Sequence, residues 1–177
     1  NRTALSLYSK PRKGGVFAME IKEGDQLIQA KISNGEDTLI MATKEGKSIR
    51  FLETQVRPTG RRTKGVRGIR LSSTDEVIGM LIAKREGSVL VASEHGYGKR
   101  SSLDEYRVQS RGGKGVYTMK KTPKTGPLVT ILETTEDDDL MIITNKGVMI
   151  RQKVESIRII GRNTQGVRIL RLDDGSK

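Results

Sequence analysis

The chain repeats itself. Lys44-Glu45-Gly46, Glu94-His95-Gly96 and Asn145-Lys146-Gly147 stand 50 and 51 residues apart. Four residues after each glycine comes an arginine: Arg50, Arg100 and Arg151. Nineteen residues after each glycine comes a Gly-Val pair: Gly65-Val66, Gly115-Val116 and Gly166-Val167. Arginines stand four residues ahead of these pairs, at Arg61, Arg111 and Arg162, and a fourth pair, Gly15-Val16, lies 50 residues before Gly65. This register divides one repeat domain, 1–177, into approximate copies 1–24, 25–74, 75–124 and 125–177, the first truncated. A fixed period of this size means stacked units that bury their apolar faces against neighbours.

Within a copy the pattern is β. In the second copy, Ile28–Ile32 and Thr38–Thr43 are β-rich runs separated by the turn residues Ser33-Asn34-Gly35. Lys44-Glu45-Gly46 is a second tight turn, and Ser48–Phe51 alternates polar and apolar like a half-buried strand. A polar segment with Pro58 and Gly60 leads into Gly65–Leu71, which is expected to place Val66, Ile69 and Leu71 in or near the core. The third copy maps onto Val77–Ile82, Val89–Ser93, Lys99–Ser101 and Val116–Lys120. A 3.6-residue period is nowhere sustained, and Leu103–Tyr106 and Val154–Ile157 are at most single helical turns. Four-stranded units of about 50 residues point to an all-β, propeller-like disk with about four blades present.

Charge narrows the partner. Lys and Arg total 33 against 21 Asp and Glu, a formal net charge of +12, which calls for a polyanion, nucleic acid before an anionic membrane. No apolar run is long enough to span a membrane as a helix. The absence of cysteine excludes thiolate metal sites and thiol catalysis, and the single histidine, His95, excludes a His-rich centre. With four Tyr, two Phe and no Trp, the chain lacks the aromatic platforms that grip single strands. Asn1 is not an initiator and no signal peptide follows it, so the sequence reads as part of a longer one.

The basic residues gather in the loop ahead of each Gly-Val pair. The second copy carries Arg57, Arg61, Arg62, Lys64, Arg67 and Arg70, and the third Arg107, Arg111, Lys114, Lys120 and Lys121. The last carries Arg158, Arg162, Arg168 and Arg171, and the first Lys10, Arg12 and Lys13. In a radial array these loops recur as a stripe around the rim, suited to a phosphate backbone and blind to base sequence. Acidic residues concentrate elsewhere, in the Glu133 to Asp139 turn. Candidate DNA contacts are therefore Arg12, Lys13, Arg50, Arg57, Arg61, Arg62, Lys64, Arg67, Lys99, Arg100, Arg107, Gln109, Arg111, Lys114, Arg151, Arg158, Arg162 and Arg168.

Three stretches carry a resemblance: Arg57-Pro58-Thr59-Gly60-Arg61-Arg62-Thr63-Lys64-Gly65-Val66-Arg67-Gly68, Gly96-Tyr97-Gly98-Lys99-Arg100, and Ile160-Gly161-Arg162-Asn163-Thr164-Gln165-Gly166-Val167-Arg168. They resemble the C-terminal domain of bacterial DNA gyrase A subunits, in order and along the whole chain. The resemblance implies a six-bladed β-pinwheel whose neighbouring blades exchange strands, with duplex DNA wrapped around its rim in positive hand. It implies as partners duplex DNA, the gyrase B subunit and the N-terminal breakage-reunion part of the same polypeptide, in the bacterial cytoplasm and with no membrane. ATP and magnesium would be used elsewhere in that assembly to drive negative supercoiling, with no cofactor held in this chain.

Two departures accompany the likeness. The family's signature box, close to Gln-Arg-Arg-Gly-Gly-Arg-Gly, belongs to the first blade. The nearest stretch here is Gln109-Ser110-Arg111-Gly112-Gly113-Lys114-Gly115 in the third copy, with Ser110 in place of an arginine. It reads as a later-blade version, with the true box preceding Asn1. About four copies out of six leave closure of the disk open. The alternatives are the corresponding domain of the topoisomerase IV A subunit, which selects DNA geometry, and a propeller binding protein or RNA.

Catalytic motifs do not assemble. Gly60 to Gly65 and Gly161 to Gly166 have phosphate-loop spacing, but Val66 and Val167 follow where Lys-Ser/Thr is needed, and no helix follows. Asp137-Asp138-Asp139 reads as a solvated turn rather than a cation site, and His95 as a surface residue. Tyr106 occupies the place of Val56 and Ile157 in other copies and reads as packing rather than a DNA-cleaving nucleophile. No catalytic site is expected in this chain, although the domain it resembles belongs to an enzyme.

Overall fold

The computed structural model describes residues 1–172 and 176, so the last few positions of the fourth copy lie outside the described residues. Two hairpins set the architecture. β1 (Thr38–Thr43) and β2 (Lys47–Leu52) pair antiparallel around Gly46, and β4 (Ser88–Ser93) and β5 (Tyr97–Ser102) do the same around Gly96. Both hairpins match the sequence expectation to within two residues at each end.

Neighbouring repeats supply the remaining strands. β3 (Val77–Ala83) pairs with β1 and β6 (Val116–Tyr117) with β2, giving a sheet of order β3-β1-β2-β6. β7 (Leu128–Thr134) pairs with β4 and β10 (Val167–Arg168) with β5, giving the order β10-β5-β4-β7. Each hairpin is thus flanked on both sides by strands from the following copy. A blade and a sequence repeat are therefore not the same segment. A third hairpin, β8 (Asp139–Ile143) with β9 (Met149–Lys153), has no flanking strands among the described residues.

Exchange explains where the sequence reading overstated strands. Ile28–Ile32 stands in the register of β3 and β7, and Gly65–Leu71 in that of β6 and β10, yet neither forms a strand. Among the described residues there is no hairpin one repeat earlier for either segment to flank. Strands exist through their ladders, so β propensity alone leaves these segments irregular. Ile69 is buried, while Val66 and Leu71 are exposed. Among the described residues the four short helical segments are all single 3-10 turns: Leu5–Tyr8, Glu53–Gln55, Leu103–Glu105 and Val154–Ser156.

The core fills the spaces between blades. Leu39, Ile49, Phe51, Val56, Ile69 and Ile82 cluster on one face of the first sheet. Ile40, Ala42 and Leu81 join Val89, Val91, Tyr106 and Met119 between the two sheets. Leu90 meets Leu140, Val154 and Ile157 between the second sheet and the third hairpin. β1 is buried on both faces, which is why its apolar residues run together rather than alternate. β3 and β7 pack against each other. They mark the inner side of the array, and the short β6 and β10 form its opposite edge.

The turn glycines are fixed by this architecture. Gly46 (φ +86°) and Gly96 (φ +76°) have left-handed backbone, and their carbonyls each accept two N–H donors from the next repeat. A Cβ at Gly46 would lie 2.2 Å from Met119 O, and one at Gly96 2.3 Å from Leu170 O. Only glycine admits both the dihedral and the approach.

Candidate nucleic-acid interface

The basic loops of the third and fourth copies lead into β6 and β10 and therefore run along the outer edge, and the second-copy loop leads into Gly65–Leu71 in the same register. Each loop starts from a 3-10 turn, whose following residue (Val56, Tyr106 or Ile157) is buried. Tyr106 is 1 % exposed, and its hydroxyl lies 2.6 Å from Thr118 Oγ1, so it is a packing residue. With that side chain anchored, the next residue faces outward. Those next residues are Arg57, Arg107 and Arg158. All three are exposed, and their guanidinium groups have no hydrogen-bond or ion-pair partner among the described residues. Arg12, Lys13 and Lys114 are likewise exposed and unpartnered among the described residues.

A second arginine series is structural. The Arg111 backbone N–H donates to Gln55 Oε1 (2.7 Å), its Nε to Gln55 O (3.1 Å) and its guanidinium to Arg67 O (2.5 Å). Arg162 repeats this one unit later, on Glu105 Oε2 (2.7 Å), Glu105 O (3.0 Å) and Tyr117 O (2.6 Å). These side chains fasten one repeat to the preceding one. Arg61, in the same register, instead lies over the Tyr8 ring at 5.9 Å, and Arg62 over Phe17 at 5.0 Å. Lys64 pairs with Glu20 at 3.2 Å, and Arg67 is exposed.

A third series points forward. Arg50 donates to Leu103 O (3.0 Å) and Tyr106 O (3.1 Å), and Arg100 Nε to Ile157 O (2.7 Å). Arg2 makes the corresponding reach to Glu53 O, the counterpart of Leu103 O, and also donates to Gly35 O, a relation the sequence hid because its spacing is two residues short. Arg151 in this register pairs with Asp139 instead. Three of the expected contacts turn inward. Arg100 is 3 % exposed and Lys99 0 %, its ammonium donating to Gly161 O (2.6 Å) and to Arg162 O. Arg50 is half-buried, and its Nη1 donates to two carbonyls while its buried Nε has no hydrogen-bond partner among the described residues. All three direct donors to carbonyl oxygens of the following repeat. Gln109 is also half-buried, its backbone N–H bound to Arg50 O.

Exchange strands carry a cation–aromatic pair that the sequence reading missed. Lys47 of β2 sits opposite Tyr117 of β6, its ammonium 5.8 Å from the ring centre. One unit later the partners trade places: Tyr97 of β5 faces Arg168 of β10, which lies 5.5 Å over the ring and donates to the hydroxyl at 3.0 Å. The signal was present as complementary identities at one register position. Arg168 is therefore exposed but already engaged.

The acidic turn is neutralised locally. Asp138 pairs with Arg85 at 2.8 Å, and that bond with the Thr135 backbone donor holds its carboxyl down at about 2. Asp139 is lowered by Arg151. Among the described residues no cluster of His, Cys, Asp and Glu could hold a metal ion, and no helix is long and apolar enough to cross a membrane.

Comparison with known proteins agrees with this architecture. A family model described as "DNA gyrase C-terminal domain, beta-propeller" matches residues 2–34, 37–84, 87–134 and 138–177. The chain is 43 % identical over 176 residues to the DNA gyrase A subunit of Staphylococcus epidermidis, covering 98 % of this chain and 20 % of that protein. It is 39 % identical to that of Buchnera aphidicola subsp. Baizongia pistaciae, covering 99 % and 21 %. The chain thus spans about a fifth of the length of the curated relatives it matches. Among solved structures, a DNA gyrase A C-terminal domain superposes with a TM-score of 0.86 at 28 % identity, covering 93 % of this chain and 56 % of the other. A topoisomerase IV C-terminal domain superposes at 0.89 with 24 % identity, covering 96 % and 53 %, and speaks to the fold alone. With a family match in all four repeats and an exchanged-strand β architecture to go with it, the chain belongs to the DNA gyrase C-terminal domain, beta-propeller family.

Proposed function

We propose that this chain binds duplex DNA along its outer edge without reading sequence and wraps it, in the service of ATP-dependent negative supercoiling by a gyrase. The carrying observation is the recurrence of Arg57, Arg107 and Arg158, exposed and unpartnered among the described residues, at one structural place in successive repeats. Cations that recur once per repeat suit a polyphosphate backbone, and nothing in such a set distinguishes one base pair from another. Its working partners in this reading are duplex DNA, the gyrase B subunit and the remainder of a gyrase A polypeptide, in the bacterial cytoplasm. ATP, magnesium and strand cleavage belong to other parts of that assembly.

Gel-shift affinity for linear duplexes of increasing length tests this, at two salt concentrations and with single-stranded DNA and structured RNA as competitors. Affinity that rises with duplex length and collapses with salt supports the reading. Length-independent binding, or preference for a competitor, rejects it.

A further inference from the structure

The rim loop 158–166 is held differently from its counterpart one repeat earlier. In the earlier blade Ile49, fully buried on β2, lies under the loop, with Cδ1 3.5 Å from where a Cβ on Gly113 would sit. Neutral Gln55 accepts the Arg111 backbone N–H. In the later blade both residues change together: Lys99 takes the register place of Ile49, and Glu105 that of Gln55. The Lys99 ammonium donates to Arg162 O and Gly161 O, while the Glu105 carboxylate accepts the Arg162 N–H at 2.7 Å.

We infer that Lys99 and Glu105 are a paired set of positioning residues, which grip the two ends of Arg162 and so hold the rim loop that displays Arg158 to DNA. The Lys99 ammonium is buried, and the negative charge of Glu105 favours its charged form. An opposite charge beside a buried ammonium offsets part of its desolvation cost, so the two residues are expected to depend on each other. Lys99 is pulled down to about 8, chiefly by burial, with Glu105 opposing that fall and Arg162 adding to it. The grip turns two successive carbonyl oxygens inward, away from the edge where phosphate would approach. The inference rests on the DNA-binding reading for its functional readout, and on the loop itself for a second one.

A double-mutant cycle in this chain tests it, with Lys99→Ile, Glu105→Gln and the combined variant, and Lys99→Met as a second replacement of the lysine. Duplex affinity, amide hydrogen exchange in 158–166 and thermal unfolding are read for each. Each single variant is expected to bind duplex about tenfold more weakly and to exchange faster in the loop. The double variant reproduces the Ile49/Gln55 arrangement and is expected to return to within about threefold of the parent. Additive losses in the double variant, or single variants with unchanged affinity and exchange, overturn the pairing. An Arg158→Ala control separates the two ideas. If it leaves binding untouched, the DNA reading of this loop fails, and the exchange cycle alone then decides the grip.

Discussion

Removing Arg57, Arg107 and Arg158 together isolates the phosphate contacts from the inter-blade fasteners. The triple alanine variant takes out three exposed guanidinium groups that have no partner among the described residues, so folding has little to lose. It lowers the formal net charge of +12 by three. If each arginine neutralises one phosphate, the log–log dependence of duplex affinity on salt becomes shallower by about 2.7. Between 50 and 200 mM salt the parent should then lose about 40-fold more affinity than the variant loses. Fluorescence anisotropy with a duplex long enough to follow the arc, titrated at four or more salt concentrations, measures this directly. Thermal unfolding of the same samples verifies that the fold is intact. A slope unchanged within error, with binding still strong, would mean that these side chains do not face the backbone, and the edge assignment would be wrong.

Other changes report on the architecture. Arg111→Ala removes the bonds to Gln55 O and Arg67 O and should cost about 2 kcal/mol of stability, seen as a lower denaturation midpoint. Gly96→Ala puts a methyl 2.3 Å from Leu170 O at a positive φ, and should destabilise by more than about 1 kcal/mol in the same assay. Tyr106→Phe deletes the hydroxyl 2.6 Å from Thr118 Oγ1, costing about 1 kcal/mol in urea unfolding while leaving duplex affinity as it was. Lys99, at about 8 when folded against 10.5 as its ordinary value, binds its proton more weakly in the folded chain. Stability should therefore rise with pH between those values, by about 3 kcal/mol relative to Lys99→Met. Glu105 and Arg162 are the charged groups that face it, and parallel curves for the two proteins would refute the assignment.

Local pattern revealed the hairpins, the period and the packing place of Tyr106, because turn chemistry and alternation act within a few residues. Pairing between repeats was not legible in that way. Val116 and Val167 could be seen to recur, but which hairpin they complete depends on backbone geometry spanning two copies. Arginine proved the hardest residue to read. Regular recurrence suggested phosphate contact equally for Arg107, Arg111 and Arg100, yet Arg111 and Arg100 serve carbonyls of adjacent units. In a repeat chain, periodic basic residues arise as readily from the rule for stacking units as from the ligand. Burial separates the two causes, and composition does not.

Because every hairpin flanked in this way takes both its outer strands from the unit that follows, the array has no self-contained building block. An internal repeat gives two strands to the unit before it and receives two from the unit after it, so insertion or deletion of one whole repeat adds no new incomplete ladder. Half a repeat does not. Blade number can therefore change by gene-segment duplication or loss in whole steps without stranding an edge, and the curvature offered to a bound polymer changes in the same steps. A break within the chain would also leave neighbouring pieces clasped by their shared sheets, as links in a chain hold without glue.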